Sequence, residues 1–191
     1  MTDPVARSLA EHLAAAQAFQ AMAADIRALA TVWWRSLSAG GAVWFCGNGG
    51  SAGDSQHLAA ELSGRFETER RALRAGALTV DTSALTAIAN DYGYEQVFAR
   101  QLQGLARPGD TLVCISTSGN APAILRAAES ARALGVTVCG MTGAGGGKLA
   151  PLCDTVLKVP STRTARIQEL HILAGHCCCE LIDGWEAARV P

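Results

Sequence analysis

The chain has 191 residues, 49% of them hydrophobic and 17% charged, with a formal net charge of −1. That balance excludes a disordered chain, supports one folded domain with a sizeable core, and leaves no electrostatic footprint for nucleic acid or an anionic membrane surface. No apolar run reaches the ~18 residues of a membrane span.

The opening, "MTDPVARSLAEHLAAAQ", lacks a basic segment followed by an apolar core, so no signal peptide is read and a cytoplasmic location is expected. Asp3 before Pro4 reads as a helix N-cap and first helical residue. Apolar residues then recur at Val5, Leu9, Leu13, Ala16, Phe19, Ala23, Ile26, Leu29, Trp33 and Leu37, a three-and-four spacing that makes one stripe. The pattern is longer than an ordinary helix, so it is one long helix or two. Because the remainder already makes a complete α/β unit, the stripe points to a subunit interface rather than internal packing alone.

Five short apolar runs follow as predicted strands: "AVWFC" (42–46), "ALTVD" (77–81), "TLVCIST" (111–117), "VTVCGMT" (136–142) and "TVLKVP" (155–160). The "PGD" at 108–110 reads as a turn. Helical patterns fill 52–65, 83–90, 95–106, 121–134 and 163–187. Alternating strands and helices predict an α/β protein, a three-layer αβα sandwich around a five-stranded parallel sheet. One domain is expected over 1–191, with a helical region at 4–38 serving oligomerisation and an α/β core at 40–187.

In such a sheet the ligand sits at the carboxyl ends of the strands. "GNGGS" follows the first strand, "STSGNAP" the third and "TGAGGGK" the fourth. Ser116, Thr117 and Ser118 precede a helix start, where free N–H groups and the helix dipole suit an anion. A phosphate site and a plain capping turn are both compatible with that stretch. "GNGGS" lacks the lysine and spacing of a P-loop, which disfavours nucleotides. "GAGGGK" opens no helical run and reads as a mobile surface loop.

His57 and Glu61 stand four apart on the helix opened by the first glycine loop, with Asp54 placed to orient the histidine ring. An exposed, weakly stabilising pair is the alternative. His171 and His176 lie on nearly opposite faces of the last helix and cannot share a ligand. Gln168 and His176, eight apart, can line one side of a large pocket; a buried core histidine is the other reading of His176. The seven cysteines include a "CCC" run whose side chains diverge along a helix, so buried reduced thiols are expected rather than a metal cage.

The segments "GNGGSAGDSQHLAAELSGRF", "DTSALTAIANDYGYEQVFARQL", "GDTLVCISTSGNAPAIL" and "RIQELHILAGH", in that order over about residues 40 to 185, resemble the sugar isomerase (SIS) superfamily and most closely its phosphoheptose isomerases. The resemblance implies a flavodoxin-like fold and a homotetramer with active sites between subunits. It implies interconversion of sedoheptulose 7-phosphate and D-glycero-D-manno-heptose 7-phosphate, which leads to nucleotide-activated heptose for lipopolysaccharide or other surface glycans. Asn48, Gly49, Gly50 and Ser51 would meet the sugar end of this phosphorylated seven-carbon substrate. Asn90, Asp91 and Gln168 would also contact it, and Ser116, Thr117 and Ser118 would hold the phosphate. Glu61 would be the base and substrate contact, and His176 the acid–base histidine. His57, Glu61, Gln168 and His176 would ligate zinc. The family often has serine where this chain has Ala121, so one phosphate-binding hydroxyl is missing. The same fold also serves non-catalytic proteins that bind the replication initiator or sense sugar phosphates; the full set His57, Glu61, Gln168 and His176 favours the enzyme.

Overall fold

The computed structural model describes residues 3–189. Five parallel strands, β1 (Val43–Gly47), β2 (Ala75–Ala77), β3 (Thr111–Ile115), β4 (Thr137–Gly143) and β5 (Thr155–Val159), form one sheet in the order β2-β1-β3-β4-β5. Side chains alternate across it. Val43, Phe45, Val113 and Ile115 enter one core, and Cys46, Leu112, Cys114 and Val138 the other. The first core is covered by α2 (Ala23–Ser38), α3 (Gly50–Ser63) and α7 (Thr164–Ala187). The second is covered by α4 (Thr82–Tyr92), α5 (Val97–Leu105) and α6 (Pro122–Ala133). This is the expected three-layer sandwich, and its strand order reverses direction between β1 and β3.

The N-terminal pattern resolves into two helices. α1 (Pro4–Phe19) is capped by Asp3, whose carboxylate accepts from Val5 N and Ala6 N, and a single turn at Gln20–Met22 joins it to α2. The stripe divides with it. Leu29, Trp33 and Leu37 are buried, and Trp33 meets Phe45 edge-on at 5.2 Å. Val5, Leu9 and Leu13 are 65%, 61% and 63% exposed.

Two expectations are corrected. The second strand lies at 75–77 and overlaps the predicted 77–81 only at Ala77. It is an edge strand, and Gly76 makes room for the Trp44 ring, so its sequence carries no apolar signal; Val80 lies outside it and is 59% exposed. The "GAGGGK" stretch is packed rather than a free surface loop. Gly146 and Gly147 take φ of +71° and +57°, and a Cβ on Gly119 would lie 2.1 Å from Gly146 O. Leu149 N donates to Gly119 O at 2.9 Å, and Lys148 N to Asn120 Oδ1 at 3.0 Å. The "PGD" turn holds as expected. Gly109 takes φ of +91°, and Asp110 accepts from Ala42 N, Trp44 Nε1 and Arg107 N, tying the turn to β1.

The cysteines are free, with Cys46, Cys114, Cys139, Cys178 and Cys179 buried. Burial pushes the Cys139 and Cys178 thiols well above their ordinary range.

Candidate active site

The loops after β1 and β3 flank the point where the strand order reverses, the place at which an open parallel sheet leaves a crevice. Each runs into a helix whose N-terminus has no side-chain cap. Gly49 precedes α3 and Ala121 precedes α6, and neither position supplies a capping hydrogen bond. The "STSGN" hydroxyls are therefore not spent on capping α6, which removes the plain-cap reading of that stretch. Ser118 Oγ accepts from Asn120 N at 3.2 Å, and Asn120 Nδ2 donates to Ser118 O. Gly119 N donates to Ser116 O at 3.0 Å, with Gly119 at φ +64°. Ser116 is buried at the strand end, Thr117 half-buried and Ser118 exposed. The second glycine loop braces this turn from behind, a role its sequence did not disclose.

On the other loop, Asn48 is half-buried and Gly49 and Gly50 are exposed. Ser51 is buried, and its N–H donates to Asn48 O. Gln168, on the first turns of α7, lies over this loop so closely that a Cβ on Gly50 would sit 2.6 Å from its Nε2. Tyr94 was not anticipated. Its hydroxyl donates to Asn48 Oδ1 at 2.9 Å, which leaves the Asn48 amide N–H groups for another partner. Asn90 and Asp91 are exposed at the end of α4, joined to each other by Asn90 Nδ2 donating to Asp91 Oδ1, and Tyr94 links their corner to Asn48.

His57, Glu61 and His176 converge. His57 Nε2 is 3.3 Å from Glu61 Oε1 and 2.9 Å from His176 Nε2. The buried-core reading of His176 gives way to this, while His57 and Glu61 do form an i,i+4 pair with His57 exposed, and His176 joins it half-buried. α3 and α7 meet this closely because Gly175 has no side chain; a Cβ there would lie 2.4 Å from Leu58 Cδ2. The sequence did not single this glycine out, since α7 also contains Gly184, where a Cβ would meet nothing within 4 Å. Phe66 stacks on the His176 ring, with centroids 5.3 Å apart and planes 24° apart. His171 lies elsewhere, buried, with Nε2–H donating to Thr142 O at 3.2 Å.

Asp54 does not orient His57 as expected. It makes no hydrogen bond to the ring, and its Oδ2 is buried without a partner. Burial raises its pKa, and the nearby His57 only partly offsets that.

Among the described residues, no group of three or more His, Cys, Asp or Glu side chains closes into a cage. The donor chemistry nevertheless suits a zinc ion. Two imidazole nitrogens and a carboxylate oxygen meet at separations of 2.9 and 3.3 Å, near the ~3.3 Å between neighbouring ligands of a tetrahedral zinc with bonds of ~2.0–2.1 Å. A neutral amide from Gln168 would complete the set without further charge.

A groove of about 450 Å³ lined by Ile26, Leu181 and Trp185 lies away from these residues. The convergent residues lie at the surface, with His57 exposed and Glu61 and His176 half-buried.

A parallel sheet with small-residue loops at its reversal point and an imidazole–carboxylate focus beside them defines a sugar-isomerase type of domain, and the SIS domain family matches residues 7–143. Within that class, the chain belongs to the phosphoheptose isomerase family. It is 57% identical over 148 residues to a phosphoheptose isomerase of Rhodospirillum rubrum, covering 78% of this chain and 79% of that protein. The solved phosphoheptose isomerase of Neisseria gonorrhoeae superposes with a TM-score of 0.90 at 44% identity, over 94% of this chain and 97% of that one. That of Francisella tularensis gives 0.93 at 38% identity, over 96% and 100%.

Proposed function

We propose that this protein is an aldose–ketose isomerase that interconverts sedoheptulose 7-phosphate and D-glycero-D-manno-heptose 7-phosphate. The observation that carries the reading is the convergence of Glu61 and His176 on His57, beside two uncapped helix N-termini. The turn at Ser116–Ser118, with the start of α6, takes the phosphate, since free N–H groups and hydroxyls both donate to an anion. Asn48, Gly49 and Gly50 admit the other end of the sugar, with Asn90, Asp91 and Gln168 as further contacts. Holding the phosphate fixes the reacting carbons against the side chains that act on them.

In the ketose-to-aldose direction Glu61 removes the C1 proton. The electron pair becomes the C1–C2 double bond, and the C2 oxygen takes a proton from His176. The cycle closes when Glu61 returns its proton to C2 and the C1 hydroxyl gives its proton to His176 as the aldehyde forms. A zinc ion held by His57, Glu61, Gln168 and His176 would polarise the substrate carbonyl.

The surface position of His57 and the exposed apolar residues of α1 support a homotetramer whose subunits share active sites. The free, buried cysteines fit a reducing cytoplasm. The aldose product would supply nucleotide-activated heptose for lipopolysaccharide or another surface glycan. Among the described residues no helix is long and apolar enough to cross a membrane.

The test is turnover of sedoheptulose 7-phosphate by the purified protein and by Glu61→Gln, with metal content measured and activity followed through chelation and zinc repletion. Glu61→Gln should fold normally and lose about 10²- to 10⁴-fold in kcat. Undiminished turnover in that variant removes the assigned base, and undiminished turnover after complete chelation removes the zinc.

A further inference from the structure

Between α3 and β2 the chain runs from Gly64 to Arg74 without regular structure, and one buried ion pair organises it. The side chains of Arg70 and Asp183 are 2% and 3% exposed, and Arg70 Nε donates to Asp183 Oδ1. The second carboxylate oxygen accepts from Glu67 N, Thr68 N and Thr68 Oγ1 at 3.0, 3.0 and 3.2 Å. The rest of the guanidinium points back at the end of α3. Nη2 donates to Glu61 O at 2.7 Å, and Nη1 to Leu62 O, Gly64 O and Arg71 O at 3.0, 3.2 and 3.1 Å. α3 has no basic residue of its own in its last turn, so Arg70 satisfies carbonyls the helix leaves open. Asp183 belongs to α7, two turns beyond His176. The pair thus ties the helix carrying Glu61 to the helix carrying His176, and the strap it holds down includes Phe66, the ring stacked on His176.

A buried ion pair is a poor source of net stability, because desolvating both charges offsets their attraction and apolar replacements are often as stable. What it supplies is geometry, since nearly every donor and acceptor of the pair is used in one arrangement. We propose that Arg70 and Asp183 are positioning residues of the isomerase reaction. Through Phe66 they set the His176 ring, and through the Glu61 carbonyl they set the end of the helix that bears the base. The proposal rests on the isomerase reading. Arg71 and Glu186 form a second tie between the same segments, but the Arg71 side chain is half-exposed and that pair is open to screening.

The test compares Asp183→Asn and Phe66→Leu with the unaltered protein. Both should lower kcat at least tenfold and leave KM within about twofold, because the Ser116–Ser118 turn lies on another strand and touches neither residue. A reading independent of turnover is the ring-carbon NMR signal of His176, recorded at fixed pH without metal and assigned by its loss in His176→Gln. In the unaltered protein the Phe66 ring current displaces it; Phe66→Leu removes the displacement, and Asp183→Asn should move the signal to the same place. Folded variants that keep their kcat, or an Asp183→Asn protein whose His176 signal does not move, overturn the proposal. If Asp183→Asn does not fold, Phe66→Leu decides: a kcat within twofold of the unaltered protein overturns it. Failure of the unaltered protein to turn over sedoheptulose 7-phosphate removes the isomerase reading itself, a result distinct from the others.

Discussion

At the scale of single residues, the two histidines of α7 show how burial assigns roles that spacing cannot. His176 faces His57 and Glu61. His171, five positions earlier, is sealed in the core with Nε2–H on the Thr142 carbonyl and Nδ1 lacking any partner. Protonation there would place a second N–H where nothing accepts it. Burial accordingly lowers the His171 pKa from 6.5 to about 4, with the Thr142 hydrogen bond pulling the other way. The stability consequence has a definite sign. Below pH 6.5 the unfolded chain takes up a proton at this site, and the folded chain does not until about pH 4. Stability is therefore complete above that window and falls as pH drops through it, by about 1.4 kcal/mol per unit. His171→Gln keeps a donor for Thr142 O and removes the titration. Denaturant melts between pH 7 and 4 should show a shallower acid decline in His171→Gln than in the unaltered protein; equal slopes would mean that His171 protonates freely in the fold.

At the scale of elements, the active geometry depends on how closely α3 and α7 approach, and Gly175 sets that distance. A methyl group there would lie 2.4 Å from Leu58 Cδ2, so the fully buried Leu58 side chain must shift. Gly175→Ala should cost about 1–3 kcal/mol by overpacking. It should also part His57 from His176, with kcat falling more than tenfold and KM for the sugar phosphate little changed. Denaturation and steady-state kinetics on one preparation measure both, and a destabilised variant with full kcat would show that the helix spacing is not what the chemistry needs. The elements also explain what was legible in the sequence. β3 and β4 are buried on both faces, so their apolar runs announce them, and α3 and α7 show themselves through period and glycine punctuation. β2 did not, because "AGA" is chosen to fit under Trp44 rather than to fill a core. The bracing of the Ser116–Ser118 turn by Gly146 and Gly147 was illegible for a related reason: contact between two glycine backbones leaves no pattern of side chains. The convergence of His57 with His176, 119 positions apart, followed from the helix packing and was anticipated only through family resemblance.

At the scale of the whole molecule, the proposed assembly would add contacts at two places, the half-buried surface at Glu61 and the outer face of α1. Val5, Leu9 and Leu13 repeat every four residues and are 65%, 61% and 63% exposed, so they form a single apolar ridge that this chain does not cover. Fully burying such a side chain is worth about 1.5–3 kcal/mol, and a symmetric assembly gains that from every copy at once. Leu9→Glu places a like charge from each subunit into a contact that symmetry makes self-complementary, and like charges so juxtaposed cost several kcal/mol. The substitution touches none of the residues assigned to the sugar or the proton transfers. On the homotetramer proposed above, light scattering should find four chains per particle in the unaltered protein and a smaller species in Leu9→Glu, with the melting of the isolated subunit still cooperative. If neighbouring chains complete the active site, specific activity of the variant should be low when dilute and climb with protein concentration as the weakened assembly re-forms. A variant that stays fully active as a monomer would place the whole reaction within one chain and reduce the α1 ridge to a feature of assembly alone.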